Sequence, residues 1–204
     1  VYNDGKYSID FADLEEKLAN PQTSMMILCN PHNPTGNIWD RDILDKIGKL
    51  CKKYHVLVVS DEIHCDITKP GISYIPFASV SDVCRDNCIT CVAPTKTFNI
   101  AGIQTAAVIV ADENIRHRVI TGLETDHLAE TNVFAADAAA AAYSEGGEWL
   151  DDLRKYLWEN RQFAEKFIKE RIPQIKPVES DATYFMWLDC TDIASDSDGL
   201  KDFI

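Results

Sequence analysis

Three short stretches of the 204-residue chain carry side chains capable of chemistry at the ends of apolar runs. "VAPTKTFNIAG", Val92 to Gly102, sets Lys96 between Thr95 and Thr97. "VVSDEIHCDI", Val58 to Ile67, sets Asp61 after a β-branched run with His64 three residues further on, and "NPHNPTG", Asn30 to Gly36, offers Asn33 in a proline-rich turn. An amine attacks a carbonyl only in its neutral form, and partial desolvation among threonines and apolar residues favours that form. Taken singly, each feature has an ordinary reading: a surface lysine, an aspartate capping a turn, an N-P-T-G turn. Taken together they converge, because ligands of open α/β sheets sit beyond the carboxyl ends of the parallel strands.

The elements that must position these residues are legible from pattern. Asp10 is placed to cap a helix whose apolar face is Phe11, Leu14 and Leu18, and Pro21 stops it. "SMMILCN", Ser24 to Asn30, reads as a strand buried on both faces, and "HVLVVSDEI" as a second. Between them the spacing of Ile43, Ile47, Leu50 and Tyr54 predicts a helix from about Asp40 to Tyr54. Strand, helix and strand within so short a span form a βαβ unit, so the two strands should be parallel. "NCITCVA" and "TAAVIVA" supply two more strands, on either side of Lys96. From Asp112 onward the pattern turns helical: "NVFAADAAAAAYSEGGEWL" and "LDDLRKYLWENRQFAEKFIKERI" have helical spacing, broken at Gly146 and Gly147. "ATYFMWLDC" then alternates around Tyr184, Met186 and Leu188 like a strand. The fold class expected is α/β: a mostly parallel sheet with flanking helices, then long helices leading into a partial, smaller α+β domain. The divisions fall at 1–111, 112–145 and 146–204.

Composition excludes several functions. Twenty Lys plus Arg against thirty-three Asp plus Glu give a formal charge of −13, which repels phosphodiester backbones and anionic lipid, so neither nucleic acid nor membrane is an expected partner. No apolar run approaches the roughly 20 residues of a membrane span. The first ten residues have no basic start or apolar segment of a signal peptide, and a cytoplasmic protein is expected. The seven cysteines sit mostly in apolar patterns and read as buried free thiols. Cys88 and Cys91 form one C-x-x-C, but in a strand they face opposite ways and no second ligand pair accompanies them, so no metal site is expected. "DSDG", Asp196 to Gly199, lacks the preceding and closing ligands of a calcium loop and reads as a turn.

"NPHNPTG", "SDEIHCDI" and "APTKTFNIAG" together resemble the fold-type-I pyridoxal 5'-phosphate (PLP) enzymes of the class I/II aminotransferase group. "SDEIHCDI" and "KTFNIAGIQ" look more narrowly like its carbon–sulfur β-lyase, or cystathionine β-lyase-like, branch. The resemblance covers essentially the whole chain. It implies that residues 1–111 belong to the large PLP-binding domain and 146–204 to the start of the small one. It further implies that Lys96 bonds the cofactor aldehyde and serves as general base, that Asp61 pairs with the pyridine nitrogen and that Asn33 hydrogen-bonds the ring's phenolic oxygen. His64 stands where many aminotransferases have a tyrosine touching that same oxygen. Many relatives have serine three before the lysine and arginine eight after it for the phosphate; here those positions are Ala93 and Gln104, which leaves Thr95, and secondarily Thr97, to offer a hydroxyl.

The activity implied is α,β-elimination on cystathionine or an S-substituted cysteine, a small amino-acid substrate, giving pyruvate, ammonia and a thiol. An aminotransferase is the alternative, and a PLP-sensing domain of a transcription regulator a more distant one. The resemblance also implies a homodimeric parent of roughly twice this length. An upstream phosphate loop and stacking aromatic, and a downstream arginine for the substrate carboxylate, would then lie outside this chain.

Overall fold

The computed structural model describes residues 1–203. A short antiparallel hairpin, β1 (Tyr2–Asn3) and β2 (Lys6–Tyr7), precedes helix α1 (Phe11–Leu18), whose N-terminus is held by Asp10 accepting from the backbone of Ala12 and Asp13. Strand β3 (Met25–Cys29), helix α2 (Arg41–Lys53) and strand β4 (Leu57–Asp61) form the βαβ unit read from the sequence. Asp40 caps α2 by accepting from Ile43 N at 2.9 Å. A 3-10 turn (Phe77–Ser79) and short helix α3 (Asp82–Asp86) lead to β5 (Cys88–Val92), then to one-turn helix α4 (Pro94–Thr97), a second 3-10 turn (Ala101–Ile103) and β6 (Ala107–Ile109). Helices α5 (Glu113–Thr125), α6 (Ala135–Glu145) and α7 (Gly147–Arg171) follow, then the pair β7 (Lys176–Pro177) and β8 (Leu188–Asp189), and α8 (Ser197–Phe203).

The main sheet runs β3-β4-β5-β6, the first three parallel and β6 antiparallel. One of its faces is the core: Leu28, Val58 and Cys88 pack with Leu18 of α1, Leu44, Ile47 and Cys51 of α2, and Phe77 and Cys84. Full burial of such aliphatic and aromatic side chains contributes about 1.5–3 kcal/mol each. The opposite face corrects the expectation that the first two strands are buried on both sides. Ile27 is 72% exposed and Met25 52%, and the odd-numbered residues of β4 are only half-buried. The helices α1, α2 and α3 all feed one cluster, so nothing among the described residues packs over Ile27. All seven cysteines are free; Cys51, Cys84 and Cys88 are buried and the other four half-buried.

Two further expectations change. The strand expected over "ATYFMWLDC" is reduced to β8, paired with β7, plus a single bridge from Ala182 to Thr68. Its backbone is used elsewhere: Asp181 N and Ala182 N both donate to Gly36 O (3.1 and 3.0 Å), Thr183 N donates to Ile67 O (2.8 Å), and Thr183 itself sits at φ +67°. "DSDG" opens α8 rather than forming an isolated turn, because Asp196 Oδ1 accepts from Gly199 N at 2.8 Å as a helix cap does. The break between α6 and α7 falls at Gly146, and Gly147 already opens α7. Arg154 ties α7 to the loop after β4, donating to Thr68 O (2.9 Å) and Thr68 Oγ1 (2.6 Å), and buried Arg161 donates to Val178 O and Phe185 O.

Gly36 lies at the centre of this docking, at φ +73°, and a Cβ there would run into the Ser180 side chain and Ala182 O. Gly36→Ala should therefore lower the unfolding free energy by about 3 kcal/mol, combining left-handed strain with overpacking. Gly71, also at positive φ but facing open space, should lose only about 1 kcal/mol on the same change. Urea denaturation of the two variants checks this; equal losses would mean that the Ser180 contact carries nothing.

Candidate active site

The three parallel strands end in register. Cys29, Asp61 and Cys91 are Cα partners across β3, β4 and β5, so their side chains share one sheet face, the uncovered one. The ladder continues for one more residue through Asn30 N donating to Asp61 O (3.0 Å) and Glu62 N donating to Cys91 O (2.9 Å). Beyond that point the loop after β3, the turn after β4 and helix α4 leave the sheet at one level, and the space beyond them is the crevice where ligands of open α/β sheets sit.

Local chemistry fixes each wall. Buried Asn30 accepts from Trp39 N at 3.1 Å, and Gly36 N donates to His32 O, folding "NPHNPTG" into a compact loop that leaves Asn33 exposed at its tip. The Asn33 backbone lies against the Cys29 thiol, on the face that carries Asp61. Asp61 Oδ1 accepts from Ile63 N at 3.2 Å and turns the chain so that His64 is buried, only 1% exposed. Tyr184 and Phe185 meet the His64 ring edge-on at centroid distances of 5.5 and 6.3 Å. Lys96 is half-buried on α4, beside half-buried Thr95.

The electrostatics join these groups. Burial holds the His64 imidazole below its ordinary pKa, the Asp61 charge opposes that shift and the Lys96 charge adds to it. The Asp61 and Lys96 charges are thus both felt at His64. Both His64 ring nitrogens are buried without a hydrogen-bond partner among the described residues. Leaving buried polar atoms unpaired costs about 1–3 kcal/mol each, so a polar group in the crevice is the natural partner for this ring. A cavity of about 250 Å³ lined by Leu157, Trp158, Arg161, Tyr184 and Phe185 touches the aromatic pair but is not lined by Asp61 or Lys96.

The two threonines beside Lys96 differ in fate. Both lie on helix α4 rather than in a strand, so β-propensity does not explain them. Thr97 is fully buried and its hydroxyl donates to Asp66 Oδ2 at 3.0 Å, which removes it as a free donor to the crevice. Gln104 is exposed in the left-handed region at φ +52°.

Sequence reasoning passed over Glu62. This carboxylate is 2% exposed, accepting from Ser60 Oγ (2.9 Å) and Phe77 N (3.0 Å), with its pKa raised chiefly by burial. Strand alternation was the available signal: Ser60 and Glu62 must point to the core face if Asp61 points away from it.

Residues 1–198 match the family model "Aminotransferase class I and II", and the chain belongs to that family. Within it, cystathionine beta-lyase PatB of Bacillus subtilis (strain 168) is 48% identical over 186 residues, covering 91% of this chain and 48% of PatB. Protein MalY of Escherichia coli (strain K12) is 34% identical over 193 residues, covering 94% and 49% respectively. The crystal structure of cystalysin from Treponema denticola, which contains a pyridoxal 5'-phosphate cofactor, matches with a TM-score of 0.90 at 33% identity, covering 93% of this chain and 48% of that one. The chain spans about half the length of the curated relatives it matches. No described helix is long and apolar enough to cross a membrane.

The lowered pKa of His64 fixes the sign of a pH effect. Its folded-state pKa lies below the ordinary 6.5, so the folded chain binds fewer protons; stability is complete above that value and falls as pH drops through the folded one. His64→Phe keeps an aromatic ring against Tyr184 and Phe185 but cannot titrate. The gap in unfolding free energy between the variant and the native chain should widen in the variant's favour below about pH 6.5. Chemical denaturation at several pH values reads it; a gap independent of pH would contradict the assignment.

Proposed function

We propose that this chain carries the cofactor-binding core of a PLP-dependent carbon–sulfur β-lyase acting on cystathionine or S-substituted cysteines. The observation that carries this reading is the convergence of Lys96, Asp61 and the unpartnered ring of His64 at the carboxyl ends of parallel strands. The residues fit the cofactor: an amine for an aldehyde, a carboxylate for a ring nitrogen, and donors from Asn33 and His64 for a phenolic oxygen. Thr95, with its hydroxyl on the same turn as Lys96, is the candidate phosphate contact. When bound, PLP supplies an electron sink for bonds broken at the substrate's Cα.

Each residue then has one task. Lys96 Nζ would hold the cofactor through its aldehyde, and as a free amine it is the group placed to accept the substrate's Cα proton as general base. The Asp61 carboxylate would hold the ring nitrogen of the cofactor. His64, whose burial favours the neutral imidazole, can donate from one ring nitrogen. Loss of the thiolate from Cβ and hydrolysis of the remainder give thiol, pyruvate and ammonia. Amino-group transfer begins with the same proton abstraction; similarity to cystathionine beta-lyases supports elimination instead. We also propose a homodimeric parent, cytoplasmic, with 1–111 in its large domain, 112–145 connecting and 146–204 opening the small domain.

Incubation with PLP, borohydride reduction and peptide mapping should place a pyridoxyl mass on the Lys96 peptide, and Lys96→Ala should abolish it. The longer polypeptide containing this chain should release pyruvate from cystathionine, at a rate reduced about 10²-fold or more in Lys96→Ala. Modification confined to other lysines would overturn the cofactor assignment, and amino transfer to a 2-oxo acid without pyruvate release would overturn the lyase.

A further inference from the structure

Lys96 stands on a support too short to hold itself. Helix α4 has four residues, Ala93 at its start offers no side-chain cap, and a single helical turn has no intrinsic stability in water. Two contacts fasten it, one on each neighbour of the lysine turn. Thr97, fully buried, donates its hydroxyl to Asp66 Oδ2 at 3.0 Å, and Asp66 lies two residues beyond His64. On the other side the Phe98 ring packs edge-on to Tyr143 of α6 (5.7 Å between centroids) and against Trp149 of α7 (5.9 Å). The Phe98 ring also fills the space that a Cβ on Gly146 would occupy.

We propose that Thr97 is a positioning residue for Lys96: its hydrogen bond to Asp66 locks the lysine turn to the turn that carries His64, while the Phe98 clasp on the α6–α7 junction holds the far side. The proposal rests on the assignment of Lys96 as the cofactor-bearing lysine, and it adds what aims that amine. A lysine side chain has four rotatable bonds, so fixing its root removes much of the freedom that would otherwise let Nζ leave the crevice. The competing explanation is that buried Thr97 merely fills space. Valine, of nearly the same shape, would then serve as well, and the hydroxyl would carry nothing.

Trace acetylation of the native chain with acetic anhydride at one pH, read by mass at Lys96 against the exposed references Lys49 and Lys155, tests this without any cofactor. In Thr97→Val the labelling of Lys96 relative to the references should rise about fivefold as the turn loosens, and Thr97→Ser, which keeps the donor, should stay at the native value. Equal labelling in all three folded chains overturns the proposal in favour of simple packing. Should Thr97→Val not fold, Asp66→Ala removes the acceptor and is read in the same way. Borohydride trapping with PLP is run in parallel on each chain: a native chain that takes no pyridoxyl group at Lys96 defeats the functional assignment, whereas unchanged acetylation in the valine variant defeats the positioning role.

Discussion

The registration of three parallel strands at their carboxyl ends is the constraint on which the rest depends. Cys29, Asp61 and Cys91 are aligned by the β3-β4-β5 ladder, so the three following segments leave the sheet at one level. A slip of one residue in β4 would turn Asp61 into the core and bring Ser60 or Glu62 to the open face. The register is well specified because the core face is unforgiving: Val58, Ser60 and Glu62 are all buried there, and Glu62 is satisfied only where Ser60 and Phe77 can reach it. Chemistry on one face of β4 is therefore secured by packing and hydrogen bonding on the other.

The two faces also explain how much could be read in advance. The helix cap at Asp10, the extent of α2, the βαβ unit and the break at Gly146 follow from local patterns, and local patterns survive in the structure because nothing nearby competes with them. Asp61 and Lys96 were legible as residues at strand ends, and Asn33 as a loop residue beside them. The burial of β3 was not legible. An apolar run such as "SMMILCN" states that both faces prefer cover, and it does not state which segment provides it. In this chain α1, α2 and α3 all serve the other face, and Ile27 is left uncovered.

The segment around Ala182 departs from its pattern for a different reason, and Thr97 shows the same kind of long-range tie. Thr97 lies in a helical turn beside β5, and its hydroxyl finds a distant partner, Asp66, that no local window contains. The alternating residues from Ala182 to Cys190 have the period of a strand, but a period supplies no pairing edge. Their backbone groups go instead to Gly36 and Ile67, and tertiary contact overrides the pattern.

That return segment does more than fill a gap. Its amides bind the carbonyl of Gly36, in the loop that presents Asn33, and the carbonyl of Ile67, in the turn that follows His64. Two of the crevice walls are thus joined at a distance from the sheet, by residues more than a hundred positions later in the chain. Thr183 takes up a left-handed conformation to achieve this, at a cost of about 1–3 kcal/mol for a β-branched residue, and immediately afterwards Tyr184 and Phe185 meet the His64 ring. The strain is retained where it sets two aromatic rings against an imidazole whose nitrogens have no partner among the described residues. The sheet therefore fixes where the three walls begin, and the return segment fixes how far two of them can open.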